Sequence, residues 1–246
     1  CLGFLVHATL LGTLNDLKQD QFTRFAAVDA LGMTNRSEYA EDIFHLLNKS
    51  KEDSLRWRCL HWLGRMRYTS AQDYVENELY KLENAKAEWR EQRDQDSDKI
   101  ADKSDDYWQH QEYHIGSALA RISPAETGID LLNHPLYQVR QGAIRALAAK
   151  ADAPLIGKII QAHQAFDPAD LPSPFPYAAF QAIDLALWNL EYTGTKDDVT
   201  KLKDILDHLK PCQVPGQEGA IKERLEWTIE RLEENIARNA ELAAAG

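Results

Sequence analysis

Val139-Arg140-Gln141-Gly142-Ala143-Ile144-Arg145-Ala146-Leu147-Ala148, followed by Asp152-Ala153-Pro154-Leu155-Ile156, decides the fold. Val139, Ala143, Ala146 and Leu147 recur at the spacing of one helix face. A short turn follows, and Ile156, Ile159 and Ile160 then line a second amphipathic helix. One such hairpin cannot bury its own apolar face, so the pattern calls for more copies.

The copies are present. Each first helix ends in an anchor, a residue followed by Leu or Ile: Ala30-Leu31, Trp62-Leu63, Ala118-Leu119, Ala146-Leu147, Ala186-Leu187 and a more degenerate Thr228-Ile229. Small residues ahead of the anchor (Ala27, Cys59, Ala143) admit a neighbouring helix, while the Leu fills the groove between the two. Second helices follow in register, with Ala40, Ile43, Phe44 and Leu47, then Val75 and Leu79, then Ile129 and Leu132. Val199, Leu202, Ile205 and Leu206 line the last of them. No run of alternating β-branched and aromatic residues is bounded by turn residues, so strands are not expected. The expected class is all-α.

Val139-Arg140-x-x-Ala143-x-x-Ala146-Leu147, with Asp152-x-Pro154-Leu155-Ile156 behind it, resembles a HEAT repeat of the bacterial type. The Arg six positions before the anchor recurs as Arg24, Arg56 and Arg140, and Glu112, Phe180 and Lys222 replace it elsewhere. The resemblance runs over roughly residues 20–235. It implies a right-handed α-α superhelix, an armadillo-like solenoid of about five or six hairpins forming one domain over residues 1–246. Two insertions interrupt it. Residues 81–106 are dense in charge and read as a projecting extension of a second helix followed by a mobile loop. Residues 167–176 carry four prolines and read as loop. A long charged helix over about 219–242 is expected to cap the array.

Composition narrows the function. The chain is 44% hydrophobic, enough for a sizeable core, but no apolar run is long enough to cross a bilayer. A net charge of −11 disfavours generic binding to nucleic acid or anionic membrane, and favours a basic partner. Three cysteines without a C-x-x-C pair exclude a disulfide or zinc framework and suit a reducing, cytoplasmic setting. The start at Cys1, with Leu2, Leu5, Val6, Leu10 and Leu11 on an early helix, is what a piece of a longer chain with a fused partner domain predicts.

In HEAT-like arrays the second helices line the concave face. Their non-core positions here include Glu38, Glu41, Asp42, Asp73, Glu76, Glu126, Asp130, Asp197, Asp198 and Asp204, opposed mainly by Lys158, Lys201 and Lys203. The resemblance thus implies an acidic groove for a basic protein partner. Acids near helix starts also suit the macrodipole without any partner. Trp89 and Trp108 are expected to be exposed at the base of the charged insertion, as binding hot spots, whereas Trp62 and Trp188 read as core. Arg56, Arg58, Arg65 and Arg67 flank both sides of one core stripe and are expected to pair with carboxylates of neighbouring repeats. His110 and His114 have the i, i+4 spacing of two metal ligands, but no third ligand is evident and solvated imidazoles are expected. No catalytic motif or cofactor-binding motif appears.

These features favour a protein-interaction scaffold or recognition module. The alternatives are a HEAT-like enzyme or a free-standing acidic inhibitor or immunity-type protein. Among the enzymes, alkylpurine DNA glycosylases need a basic groove for duplex DNA, and phycobilin lyases also resemble these repeats. Deoxyhypusine hydroxylases need His-Glu dipeptides as iron ligands, and this sequence has none.

Overall fold

The computed structural model describes residues 2–16, 19–95, 105–150, 152–167, 173–211, 217 and 219–245. They are all-helical, with no strand among them, and the chain divides into two compact units, Cys1–Pro124 and Ala125–Gly246.

Unit 1 holds α1 (Leu2–Asn15), α2 (Gln21–Met33), α3 (Ser37–Lys49), α4 (Asp53–Arg65), α5 (Gln72–Gln95) and α6 (Asp105–Ile122). The first helices α2, α4 and α6 pack in succession; α3 lies on α4, α5 on α6, and α1 on α2. Their anchor residues Leu31, Leu63 and Leu119 are buried, each worth about 1.5–3 kcal/mol on transfer from water. Local chemistry sets the ends. Asp20 caps α2 by accepting a 3.0 Å bond from Thr23 N. Beyond α2 and α4 the chain turns through left-handed residues, Asn35 (φ 53°) and Arg67 (φ 52°). Asn tolerates that conformation; Arg does so at a cost of about 1 kcal/mol.

The recurring arginine has a structural job. Arg56 donates to Leu47 O (3.0 Å) and Ser50 O (3.2 Å) at the end of α3, and pairs with Glu78 of α5. Arg24 pairs with Glu52 in the turn before α4 (3.0 Å). Arg140 donates to His134 O and Pro135 O in the turn before α8. Each ties a first helix to flanking turns or to a second helix. Where the repeat has Glu112 instead, that carboxylate reaches back to Lys86 of α5, with both side chains buried.

That pair corrects the reading of the charged insertion. Lys81 to Gln95 continues α5 as helix, and Leu82, Lys86 and Trp89 form a buried stripe on it. Trp108, Glu112 and Ile115 form the matching buried stripe on α6. The rings of Trp89 and Trp108 meet at 5.9 Å. The extension is therefore packed along α6 rather than projecting, because a Lys–Glu pair inside the stripe makes a buried face look solvated in sequence. The loop expected to be mobile, 96–104, lies outside the described residues.

Unit 2 begins with α7 (Ala125–Asp130) and a 3-10 turn (Leu131–Asn133), then α8 (Tyr137–Lys150), α9 (Ala153–Gln164), α10 (Phe175–Thr193), α11 (Lys196–Asp207) and α12 (Ala220–Ala245). First helices α8, α10 and α12 pack in succession, α9 packs on α10 and α11, and α11 on α12. Alanines make the closest contacts: Ala143, Ala146, Ala179, Ala182 and Ala186 are fully buried. Asp152 caps α9 through Leu155 N (2.8 Å), and Thr195 with Asp198 forms a capping box on α11. Of the proline segment, residues 168–172 lie outside the described residues. Phe175 and Pro176 already belong to α10, where proline fits the first turn.

Candidate functional site

Several of the acids proposed from sequence already have partners within their own unit, and others are exposed. In unit 1, Glu38 lies 3.5 Å from Arg36, and Glu76 accepts a 2.9 Å bond from Gln72 on its own helix. Glu41 and Asp73 are exposed and Asp42 is half-buried. Phe44 of α3 meets Tyr74 of α5 at 5.6 Å, which brings those two helices together. In unit 2 the acids have local roles. Glu126 pairs with Lys158 (2.7 Å), and Asp204 lies 3.4 Å from His208. Asp198 accepts from Thr195 and from Ala153 N (3.3 Å). Burial opposes ionisation of Asp198, but those hydrogen bonds prevail and hold its carboxyl below the usual range. Asp130 is exposed.

The tryptophans are also redistributed. Trp89 and Trp108 are 9% and 3% exposed, so neither is the surface hot spot expected of it. Trp188, expected in the core, is 50% exposed instead. It lies beside its anchor on the opposite side of α10, in line with Tyr177, Gln181, Asp184 and Tyr192 at helical spacing. Its ring meets Tyr192 at 5.7 Å. On α12, Trp227 carries the Arg224 guanidinium 4.5 Å above its ring and Arg231 at 5.7 Å. Arg224 in turn holds Asp184 (2.7 Å) and the buried Glu191 (2.9 Å).

In unit 1 the first helices build a recess of about 450 Å³. Phe25, Asp29 and Met33 line it at i, i+4 and i+8 on α2, Ser54, Trp57, Arg58, His61 and Trp62 on α4, and His114 on α6. Gly32 makes room for it: a Cβ there would lie 2.1 Å from Trp62 Cδ2, so only glycine lets the indole lie across α2. Trp62 Nε1 donates to Asp29 Oδ1 (2.8 Å), and Arg58 pairs with the other carboxylate oxygen while stacking 4.5 Å over Phe25. Trp57 stacks on both His110 and His114, at 5.7 and 5.9 Å; His110 is exposed as expected, whereas His114 is half-buried and lines the recess. Burial, reinforced by the charges of His61 and His110, pushes the His114 imidazole down to about 4. Burial and then the guanidiniums of Arg121, Arg65 and Arg58 lower His61. Both rings are held toward the neutral form, able to donate at one nitrogen and accept at the other. Among the described residues no group of three or more potential ligands is arranged to hold a metal ion.

Sequence reasoning missed both sites, although the signal was present. Asp29 and His61 sit on the anchor-bearing helices outside the core stripe and drew no reading, and Trp188 was read as core because it follows its anchor.

No protein-family model matches the chain, and no curated protein matches it. Among solved structures it is similar to a crystal structure of an engineered protein from the Northeast Structural Genomics Consortium, at 15% identity and a TM-score of 0.30, over 94% of this chain and 97% of that one.

Proposed function

We propose that the chain is a protein-interaction module built from HEAT- or armadillo-like α-solenoid hairpins, and that its first helices present the docking surface. The observation that carries this is where exposed apolar bulk lies. Among the described residues, the large exposed hydrophobic side chains are Phe22 and Met33 on α2, Tyr137 on α8, Tyr177, Trp188 and Tyr192 on α10, Trp227 and Leu242 on α12, and Tyr80 on α5. All but Tyr80 belong to first helices. Tyr, Trp and Arg in combination are the residue types that dominate binding energy at protein interfaces. Among the acids of the second helices, by contrast, Glu38, Glu126, Asp198 and Asp204 are already engaged in caps or ion pairs, which supports placing the partner on the first helices. A reducing, cytoplasmic setting suits the buried Cys59 thiol, which burial pushes up to about 12 and so keeps unreactive.

A photo-crosslinking amino acid placed singly at His61 or Tyr192 on first helices, and at Glu41 or Asp204 on second helices, tests this in source cells. Adducts from His61 and Tyr192, with none from Glu41 and Asp204, are expected. The reverse pattern would return the docking surface to the second helices.

A further inference from the structure

Three arginines stand out in unit 1 because they lie together with no acid among the described residues meeting them. Arg24, Arg56, Arg58, Arg224 and Arg231 all pair with carboxylates. Arg65, Arg67 and Arg121 have no carboxylate partner among the described residues, in a chain with 39 acidic and 28 basic side chains. They are neighbours. Arg121 of α6 lies across Gly64, its Cδ 3.1 Å from where a Cβ on that glycine would stand. Arg65 follows that glycine and places its guanidinium 5.4 Å over Trp62. Arg67 ends the same turn in the left-handed conformation, which arginine adopts at a cost. Arg121 is half-buried, and burial together with the charges of Arg65 and Arg67 lowers the pKa of its guanidinium.

Position at a helix end accounts for each arginine singly, since cations suit helix C-termini. It does not account for three that converge and repel one another while carboxylates elsewhere in the unit pair with other arginines. The cluster also adjoins the recess. His61 lines that recess and feels the charges of Arg121, Arg65 and Arg58, and Trp62 is both its wall and the platform for Arg65. An apolar slot beside unpaired guanidiniums matches a ligand with one bulky apolar group flanked by negative charge.

We infer that this face of unit 1 docks an acidic peptide segment bearing a large apolar side chain, which enters the recess between Trp57, Trp62, Phe25 and Met33 while its flanking carboxylates meet Arg65, Arg67 and Arg121. The inference deepens the interaction-module reading and rests on it. The apolar anchor gives affinity by burial, and the arginines give register and salt dependence. His61 stands where the two halves join, with neutral nitrogens free to bond the peptide backbone.

The test uses the full chain and synthetic twelve-residue peptides: an acidic peptide with a central Phe, the same peptide with Ala, and a Lys-substituted counterpart. Binding is followed by tryptophan fluorescence and by anisotropy of a labelled peptide, at low and high salt. The acidic Phe peptide is expected to bind, at least tenfold tighter than either control and more weakly as salt rises. Arg65→Glu with Arg67→Glu, both at exposed positions, is expected to weaken it tenfold or more with the circular dichroism unchanged. Arg67→Gly is expected to melt at a higher temperature yet bind several-fold more weakly, since it relieves the backbone and removes a cation. Equal binding of the Lys peptide, or unchanged affinity in the double variant, would overturn the assignment. So would self-association of the wild type that the double variant abolishes, which would make a second copy the occupant. Crosslinks from His61 and Tyr192 without acidic-peptide binding would overturn this inference and leave the broader reading standing. Absence of crosslinks from both would remove the broader reading itself.

Discussion

Unit 1 and unit 2 use the same hairpin but are held together differently. In unit 1, charged pairs cross between helices: Arg58 to Asp29, Arg56 to Glu78, and Lys86 to Glu112 inside the core. In unit 2, α8 and α10 pack on alanines, the buried Glu191 of α10 is met by Arg224 of α12, and helix ends carry the Thr195–Asp198 box and the Asp152 cap. Unit 1 therefore sets the large rings of Trp57 and Trp62 into the wall of a recess between its first helices, whereas unit 2 packs α8 closely on α10 and leaves Tyr177, Trp188 and Tyr192 of α10 exposed. The same repeat can place its aromatic residues within a cleft or on a surface, depending on how much volume the small positions allow.

The largest expected effect probes the buried pair of unit 1. Lys86→Met leaves the Glu112 carboxylate buried and unpaired, with an expected loss of about 3–5 kcal/mol in urea unfolding. Combining it with Glu112→Leu is expected to recover most of that loss. If the two losses simply add, the pair is not the unit that joins α5 to α6, and the contrast with unit 2 weakens.

A smaller effect separates the units by pH. The His114 pKa is depressed in the fold, so the unfolded chain takes up its proton first as pH falls. Its contribution is present above the ordinary imidazole pKa of about 6.5, shrinks as pH falls from there, and levels off below about 4. Allowing for partial exposure, the expected loss between pH 7 and 5 is about 1–2 kcal/mol. His114→Phe is expected to flatten that part of the profile. The remainder belongs to groups such as His61 and His163 of unit 2, which burial also lowers. An unaltered pH profile in His114→Phe would mean that the imidazole does not sense its burial against Trp57.

The smallest effect tests the caps of unit 2. Asp198→Ala is expected to cost about 1 kcal/mol by removing the box on α11. Glu41→Ala in unit 1, an exposed acid, is expected to stay within about 0.5 kcal/mol of the parent. Equal losses would mean that these acids are equivalent, as sequence alone had them. The capping role also means that charge reversal at Asp198 cannot serve as a pure surface test, because it removes the box on α11 as well.

Much of the helical plan was legible in the sequence because anchors and stripes are local. All six anchors fall on α2, α4, α6, α8, α10 and α12, and the second-helix stripes fall on α3, α5, α7 with its 3-10 turn, α9 and α11. The candidate site was far less legible. Trp89 and Trp108 are buried because Lys86 and Glu112 neutralise each other within a stripe that looked charged. Trp188 was assigned to the core from its adjacency to Leu187, although one residue turns the side chain by about 100°. The recess depends on Gly32 yielding space to a ring from another helix, and the arginine cluster joins α4 to α6, so neither is visible at short range.

The most direct test of a docking surface on the first helices compares two charge reversals while the photo-crosslinker stays at His61. One background carries Arg65→Glu with Arg67→Glu, the other Glu41→Arg with Glu76→Arg. Adduct yield is expected to collapse in the first and to hold in the second. Loss in the second with retention in the first would contradict the account and restore the acidic face of the second helices as the partner's seat.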